Sequence, residues 1–186
     1  GFDKDRIVAA IAQTAAATPP GEHQLLFVEN HDMARLASDP DMTPEKLRTA
    51  AALNVLLAGT PILYYGQELG MRGALREEYK TDEKDIGNRE AFEWNAKVES
   101  SPQALWYRGA GSYWTQKFAR DDDGISVAEQ DGAPDSLLNF YRRLLALRRA
   151  HVALRAGTQV IVDSPPGLLV IERAAGGERL RIVANL

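Results

Sequence analysis

The stretch Phe27-Val28-Glu29-Asn30-His31-Asp32 places two carboxylates, an amide and an imidazole within four residues, directly behind an apolar run. In parallel α/β folds, ligands and catalytic groups collect at the carboxyl ends of strands. The same residues also suit an Asx-type turn, in which Asn30 or Asp32 satisfies backbone donors. Spacing alone leaves both readings open. A metal site on His31 and Asp32 lacks a third ligand at sensible spacing. A second cluster, Gly59-Thr60-Pro61-Ile62-Leu63-Tyr64-Tyr65-Gly66-Gln67-Glu68, ends another apolar run in aromatic and carboxylate groups. By spacing it reads as core tyrosines followed by a glycine turn.

The elements that must position these groups alternate. Asp3 suits a helix N-cap, with Ile7, Val8, Ile11, Ala12 and Ala15 on one stripe and Thr18-Pro19-Pro20-Gly21 as the stop. Leu25-Leu26-Phe27-Val28 has no polar alternation, which predicts a strand buried on both faces. Thr43 and Pro44 open a second helix that Gly59 ends. Pro61-Ile62-Leu63-Tyr64-Tyr65 predicts a second buried strand. Helix, strand, helix, strand with short connections is α/β logic, and the crossover helix implies parallel pairing.

Residues 66–131 show little periodicity, and a loop so long after a buried strand reads as an excursion on the active-site side. Asp135 suits the cap of a third helix with Leu137, Phe140, Tyr141, Leu144 and Leu145 on one face. Arg142, Arg143, Arg148 and Arg149 read as its solvated side. After Gly157, three β-like segments at 158–162, 168–172 and 180–183 are separated by Pro- and Gly-rich turns, predicting an antiparallel tail.

Composition removes whole classes of function. The chain has 186 residues, no cysteine and a net charge of −4. Disulfide frameworks, thiolate metal sites and cysteine nucleophiles are excluded, and there is no electrostatic footprint for nucleic acid or an anionic membrane. No apolar run approaches the roughly 18 residues of a membrane-spanning helix. Asp121-Asp122-Asp123-Gly124 fails as a calcium loop, because the first and last ligand positions fall on Ala119 and Gln130. Gly109-Ala110-Gly111 does not match a phosphate loop. Trp94, Trp106 and Trp114 with Tyr107 and Tyr113 can stack on a flat ligand or seal the loop; His23 and His151 have no evident partner.

Together these residues resemble the α-amylase family of glycoside hydrolases. Phe27…Asn30-His31-Asp32 looks like its fourth signature region, and residues 59–71 resemble its eighth barrel strand and the turn after it. Asp85…Arg89…Phe92-Glu93-Trp94 is similar to the following loop, and Leu144-Leu145-Ala146-Leu147-Arg148-Arg149 with the β-like tail resemble its last barrel helix and the start of its C-terminal β-domain. The resemblance implies an α/β chain: residues 1–156 as the C-terminal part of a (β/α)₈ barrel, and 157–186 as the start of an antiparallel β-domain. It implies retaining cleavage of α-1,4-glucosidic bonds in starch-like glucans or maltooligosaccharides.

Within that resemblance Asp32 matches the aspartate that stabilises the transition state, while His31, Asn30, Arg89 and Tyr65 match substrate-binding positions. No stretch matches the family's nucleophile or acid/base: Gly87-Asn88-Arg89-Glu90 is not the Gly-x-Arg-x-Asp pattern, and neither Glu29 nor Glu68 falls at the acid position. A retaining enzyme needs those two carboxyls about 5 Å apart. The chain is therefore expected to be a segment of something longer and inactive alone. Ala91 departs from a proline common in relatives. Trehalose synthase or another transglycosylase, an α-glucosidase, and a non-catalytic glucan-binding or structural piece are the alternatives. No cofactor is identifiable in this segment, with calcium left open for a full-length protein. The expected partner is a glucan rather than nucleic acid or membrane, the location is open between an extracellular or periplasmic one, which is favoured, and the cytoplasm, and no oligomeric state is readable.

Overall fold

The computed structural model describes residues 2–100, 103–106, 108–109 and 118–186. They form two compact units. One comprises the N-terminal segment through Phe27 together with Arg48–Ile62 and Arg142–Leu186; the other comprises Val28–Leu47 and Leu63–Tyr141.

In the first unit, helix α1 (Lys4–Ala17) starts where expected, with the Asp3 carboxylate accepting the Arg6 N–H at 3.1 Å. Its stripe of Ile7, Val8 and Ile11 packs on Leu53, Leu169, Ile171 and Ala184. Strands β1 (Leu25–Leu26) and β2 (Thr60–Pro61) pair in parallel, with helix α2 (Pro44–Leu56) between them in sequence. This is the predicted crossover.

Two details differ from expectation. The strands are shorter than the apolar runs, and they are not buried on both faces: Leu25 is 60% exposed. Each strand has a single partner among the described residues. The last ladder bond runs from Ile62 N–H to Leu26, and the next carbonyl, that of Ile62, is taken by the Asn54 side chain at 3.1 Å. Leu63 to Tyr65 thus leave the sheet.

The C-terminal end of α2 is finished by two arginines from far along the chain. Arg148 donates to the carbonyls of Val55 (2.6 Å), Leu57 (3.2 Å) and Gly59, and Arg173 donates to Leu56 (2.8 Å), Leu154 (3.2 Å) and Gly157 (3.1 Å). Helix ends leave carbonyls without intrahelical partners, and charged donors satisfy them well. Burial lowers both guanidinium pKa values, that of Arg173 to about 10. Arg148 is therefore not part of the solvated face expected for it; Arg142, Arg143 and Arg149 are.

Helix α3 (Val127–Gln130) and helix α4 (Leu137–Ala150) precede α5 (Val152–Ala156), which leads into the antiparallel sheet β3 (Thr158–Val162), β4 (Leu168–Ala175) and β5 (Glu178–Asn185). Gly176 and Gly177, both at positive φ, make the two-residue turn between β4 and β5. His151 does find a partner: its Nδ1 lies 2.6 Å from a Glu178 oxygen, whose other oxygen accepts the Ala153 N–H.

The second unit is mostly irregular, as its lack of periodicity implies. It contains 3₁₀ turns at Leu36–Ser38 and Asp82–Asn88, helix α3 with a Ser126/Glu129 capping box, and the first turn of α4. That turn is capped by Ser136 rather than Asp135, the Ser136 hydroxyl accepting the Asn139 N–H at 3.2 Å. The small core is Leu69, Met71, Ile125 and Leu138 with Phe92 and Val127. Gln130 ties it together, donating to Leu69 (2.8 Å) and Gly124 (2.9 Å) and accepting from Leu138 N–H (3.0 Å). Asp123 accepts the Ile125 N–H two residues on, which makes the segment a turn, and Asp121 ties it to the Val98 N–H.

A buried acidic group lies beside this core. Glu93 is 3% exposed, and its neighbours include Glu90, which accepts from Phe118 and Ala119, and Glu129, which accepts from Gly124 and Ser126. Burial, reinforced by the negative charge of Asp123, Glu90 and Glu129, pushes the Glu93 carboxyl from 4.5 up to about 7; Arg72 opposes this. No helix of the described residues is long and apolar enough to cross a membrane.

Candidate active site

The loop after Phe27 is organised from beneath by a buried ion pair. Glu29 and Arg35 meet at 2.9 Å with their side chains almost completely shielded. Burying a charge is costly unless it is paired and hydrogen-bonded, and here both partners have further contacts. The second Glu29 oxygen accepts the Leu36 N–H at 2.7 Å, while Arg35 donates to the carbonyls of Tyr65 (2.6 Å) and Asn88 (3.0 Å). Its guanidinium carbon lies 4.0 Å from the Tyr64 ring centre and 4.8 Å from that of Tyr65. Glu29 is therefore a structural carboxylate.

Above this frame the chain makes the Asx turn, the Asn30 side-chain oxygen accepting the Asp32 N–H at 2.8 Å. Turn and site are one structure: the amide aims the next side chains outward. His31 Nε2 lies 3.2 Å from Asp32 Oδ1, with both side chains 59% exposed. Arg89 closes the group. Its Nη2 lies 3.2 Å from Asp32 Oδ1 and 3.4 Å from Asp85 Oδ2, and its Nε donates to the His31 carbonyl at 3.2 Å. The result is an outward-facing carboxylate flanked by an imidazole and a guanidinium. Such a group can accept hydroxyl hydrogen bonds and oppose positive charge developing on a bound ligand.

Of the residues expected from sequence, the structure brings Asn30, His31, Asp32 and Arg89 together. Tyr65 is placed differently: its hydroxyl donates to the Glu90 carbonyl at 2.8 Å, and the aromatic ring near the imidazole is Tyr64, 6.5 Å from His31. The turn at Gly66, at φ +81°, separates the roles, and a Cβ there would fall 2.2 Å from the Met71 sulfur. Sequence reasoning placed Asp85 in the loop motif but gave it no role, and missed Arg35. The signal for Asp85 was its position four residues before Arg89; for Arg35 the sequence carried none, its two tyrosines lying about 30 residues away along the chain. Burial raises the Glu68 pKa, and the described residues show no group of three or more metal-ligating side chains. Trp94 packs edge-on against Phe92 and Trp106 is exposed; Trp114, Tyr107 and Tyr113 lie outside the described residues.

This arrangement belongs to a known class. The family model "Alpha amylase, catalytic domain" matches residues 2–157, and the chain is a member of that family of glycoside hydrolases and transferases. Alpha-amylase 3 of Dictyoglomus thermophilum is 27% identical over 162 residues, covering 87% of this chain and 30% of the relative. The 4-alpha-glucanotransferase of Thermotoga neapolitana is 28% identical, covering 86% of this chain and 34% of the relative. In structure, isomaltulose synthase from Klebsiella sp. LX3 matches with a TM-score of 0.80 at 19% identity, covering all of this chain and 38% of that one. The fold is thus part of a (β/α)₈ barrel followed by an antiparallel sheet, and the chain spans about a third of the length of these relatives.

Proposed function

We propose that this chain supplies the transition-state-stabilising aspartate, Asp32, to a retaining hydrolase or transglycosylase acting on α-glucosidic bonds of starch-like glucans or maltooligosaccharides. The observation that carries the reading is the Asp32 carboxylate, presented outward by an Asx turn and flanked by His31 and Arg89. Glycosidic cleavage passes through an oxocarbenium-like state, and hydroxyl contacts that tighten as charge develops lower its barrier. Asp32 would make such contacts, His31 would hydrogen-bond a neighbouring hydroxyl, and Arg89 would hold Asp32 in place between them. The nucleophile and the acid/base are carboxylates outside the motifs of this chain. The family match ends at residue 157, which supports reading 1–156 as barrel and 157–186 as the start of a β-domain.

The test is Asp32→Asn in the intact protein, assayed on starch, maltotriose and trehalose. Turnover should fall by about 10²–10³, the scale of losing a preorganised electrostatic stabiliser, while maltooligosaccharide binding stays within a few-fold. Near-normal turnover refutes the role. The products on the three substrates separate hydrolysis from transfer.

A further inference from the structure

The structure assigns Asp85 as the residue that positions the outward carboxylate from inside the protein, acting through Arg89; this inference rests on the reading of Asp32 above. Asp85 is 4% exposed, and its Oδ1 meets no hydrogen-bond partner. Its Oδ2 faces Arg89 Nη2 at 3.4 Å. A buried carboxylate with so little other support depends on the cation it does have. The same Arg89 nitrogen is shared with Asp32 Oδ1 at 3.2 Å. One guanidinium therefore spans an inner and an outer carboxylate.

The two anchors are unequal. Asp85 sits in the 3₁₀ turn Asp82–Asn88, which is clamped on several sides. The Asn88 carbonyl receives Arg35 at 3.0 Å and the Tyr64 hydroxyl at 3.3 Å, and the Lys84 carbonyl receives the Arg76 N–H at 2.8 Å. Gly73 and Gly87 allow the backbone contact between the turn and residues 73–74: a Cβ at Gly73 would lie 2.6 Å from the Gly87 oxygen, and one at Gly87 would lie 2.5 Å from the Ala74 oxygen. Arg89 ends the same turn, its N–H bonding to Ile86 at 3.0 Å. Asp32, by contrast, is exposed on a loop. The fixed end of the bridge is Asp85, so the guanidinium is set from within and Asp32 and the His31 carbonyl are registered against it.

Removing the inner charge leaves Arg89 free to follow Asp32 outward, which weakens the preorganisation needed as positive charge develops on the sugar. Because Asp85 touches no substrate, the effect falls on kcat and not on KM. The experiment compares Asp85→Asn, Arg89→Lys, their double variant and Asp32→Asn in the intact protein, with crystal structures of the folded variants. Asp85→Asn should lower kcat about tenfold, a sub-ångström share of the roughly hundredfold that a 1 Å misplacement can cost, with KM within twofold and Arg89 displaced. Arg89→Lys should do the same, and the double variant should be no worse than Arg89→Lys alone. If Asp32→Asn keeps its turnover, the reading of Asp32 fails first. If Asp32→Asn is inactive yet Asp85→Asn stays within twofold in kcat with Arg89 unmoved, or the two losses multiply, the assignment of Asp85 is overturned. Should Asp85→Asn not fold, Arg89→Lys within twofold of the parent in kcat overturns it equally.

Discussion

Glu93→Gln should make the protein more stable above neutrality and leave it nearly unchanged in acid. The folded-state pKa of Glu93 is about 7 against 4.5 for the ordinary group. With the folded pKa raised, the native state holds a proton between those values that the unfolded chain has already released. Stability therefore falls as pH rises from about 4.5 through about 7, and the full penalty is present above that window. From 4.5 to about 7 is about two and a half decades of proton affinity, which at about 1.4 kcal/mol per decade is about 3 kcal/mol. The cause is physical: the carboxyl is buried and surrounded by Asp123, Glu90 and Glu129, with Arg72 as the opposing charge. Glutamine keeps the shape and cannot ionise. Urea titrations of the intact protein at pH 4.5, 6 and 8, followed by tryptophan fluorescence, should show the parent losing stability relative to Glu93→Gln across that range, with the gap about 3 kcal/mol at pH 8. Parallel pH dependence in the two proteins would refute the reasoning.

Two further outcomes follow from the structure. Arg173→Met keeps length and loses three bonds to the carbonyls of Leu56, Leu154 and Gly157; at about 1–3 kcal/mol for each buried acceptor left unmet, less the desolvation cost no longer incurred, the net loss should be about 3 kcal/mol in a urea titration. His31→Ala should cost about 1–3 kcal/mol in kcat/KM on maltooligosaccharides as a lost substrate hydrogen bond, and melting temperature should stay within a degree or two.

The elements with local causes were legible in the sequence. Asp3 and Thr43 marked helix starts, Gly176-Gly177 marked a hairpin, and the Ile7, Val8, Ile11 stripe marked a packed face. Misreadings arose where a distant partner decided. Leu25 reads as a buried strand residue, but burial needs neighbouring strands, and periodicity does not say which neighbours are present. Arg148 reads as solvated from its place on a helical wheel, yet carbonyls 93 residues earlier draw it in. The candidate site shows the same division. Asn30, His31 and Asp32 lie side by side in sequence and were visible together. Asp85 and Arg89 lie four residues apart, but Arg89 reaches Asp32 from 57 residues along the chain, and only the fold shows that one guanidinium nitrogen serves two carboxylates. Tyr64 and Tyr65 are adjacent and chemically identical, so only the turn at Gly66 could tell them apart.

The arginine caps on α2 also carry a consequence for how the chain is made. A glycine cap closes a helix with residues that leave the ribosome within moments of it. Here the carbonyls of Val55 and Leu56 wait for Arg148 and Arg173, which are synthesised 93 and 117 residues later. Until then that helix end can be satisfied only by water, and Leu53 on its apolar face has the α1 stripe of Ile7, Val8 and Ile11 to pack on but not Leu169 and Ile171. The first unit is thus closed from its C-terminal side, and a nascent chain stalled before residue 173 should hold α2 in an open, protease-sensitive form.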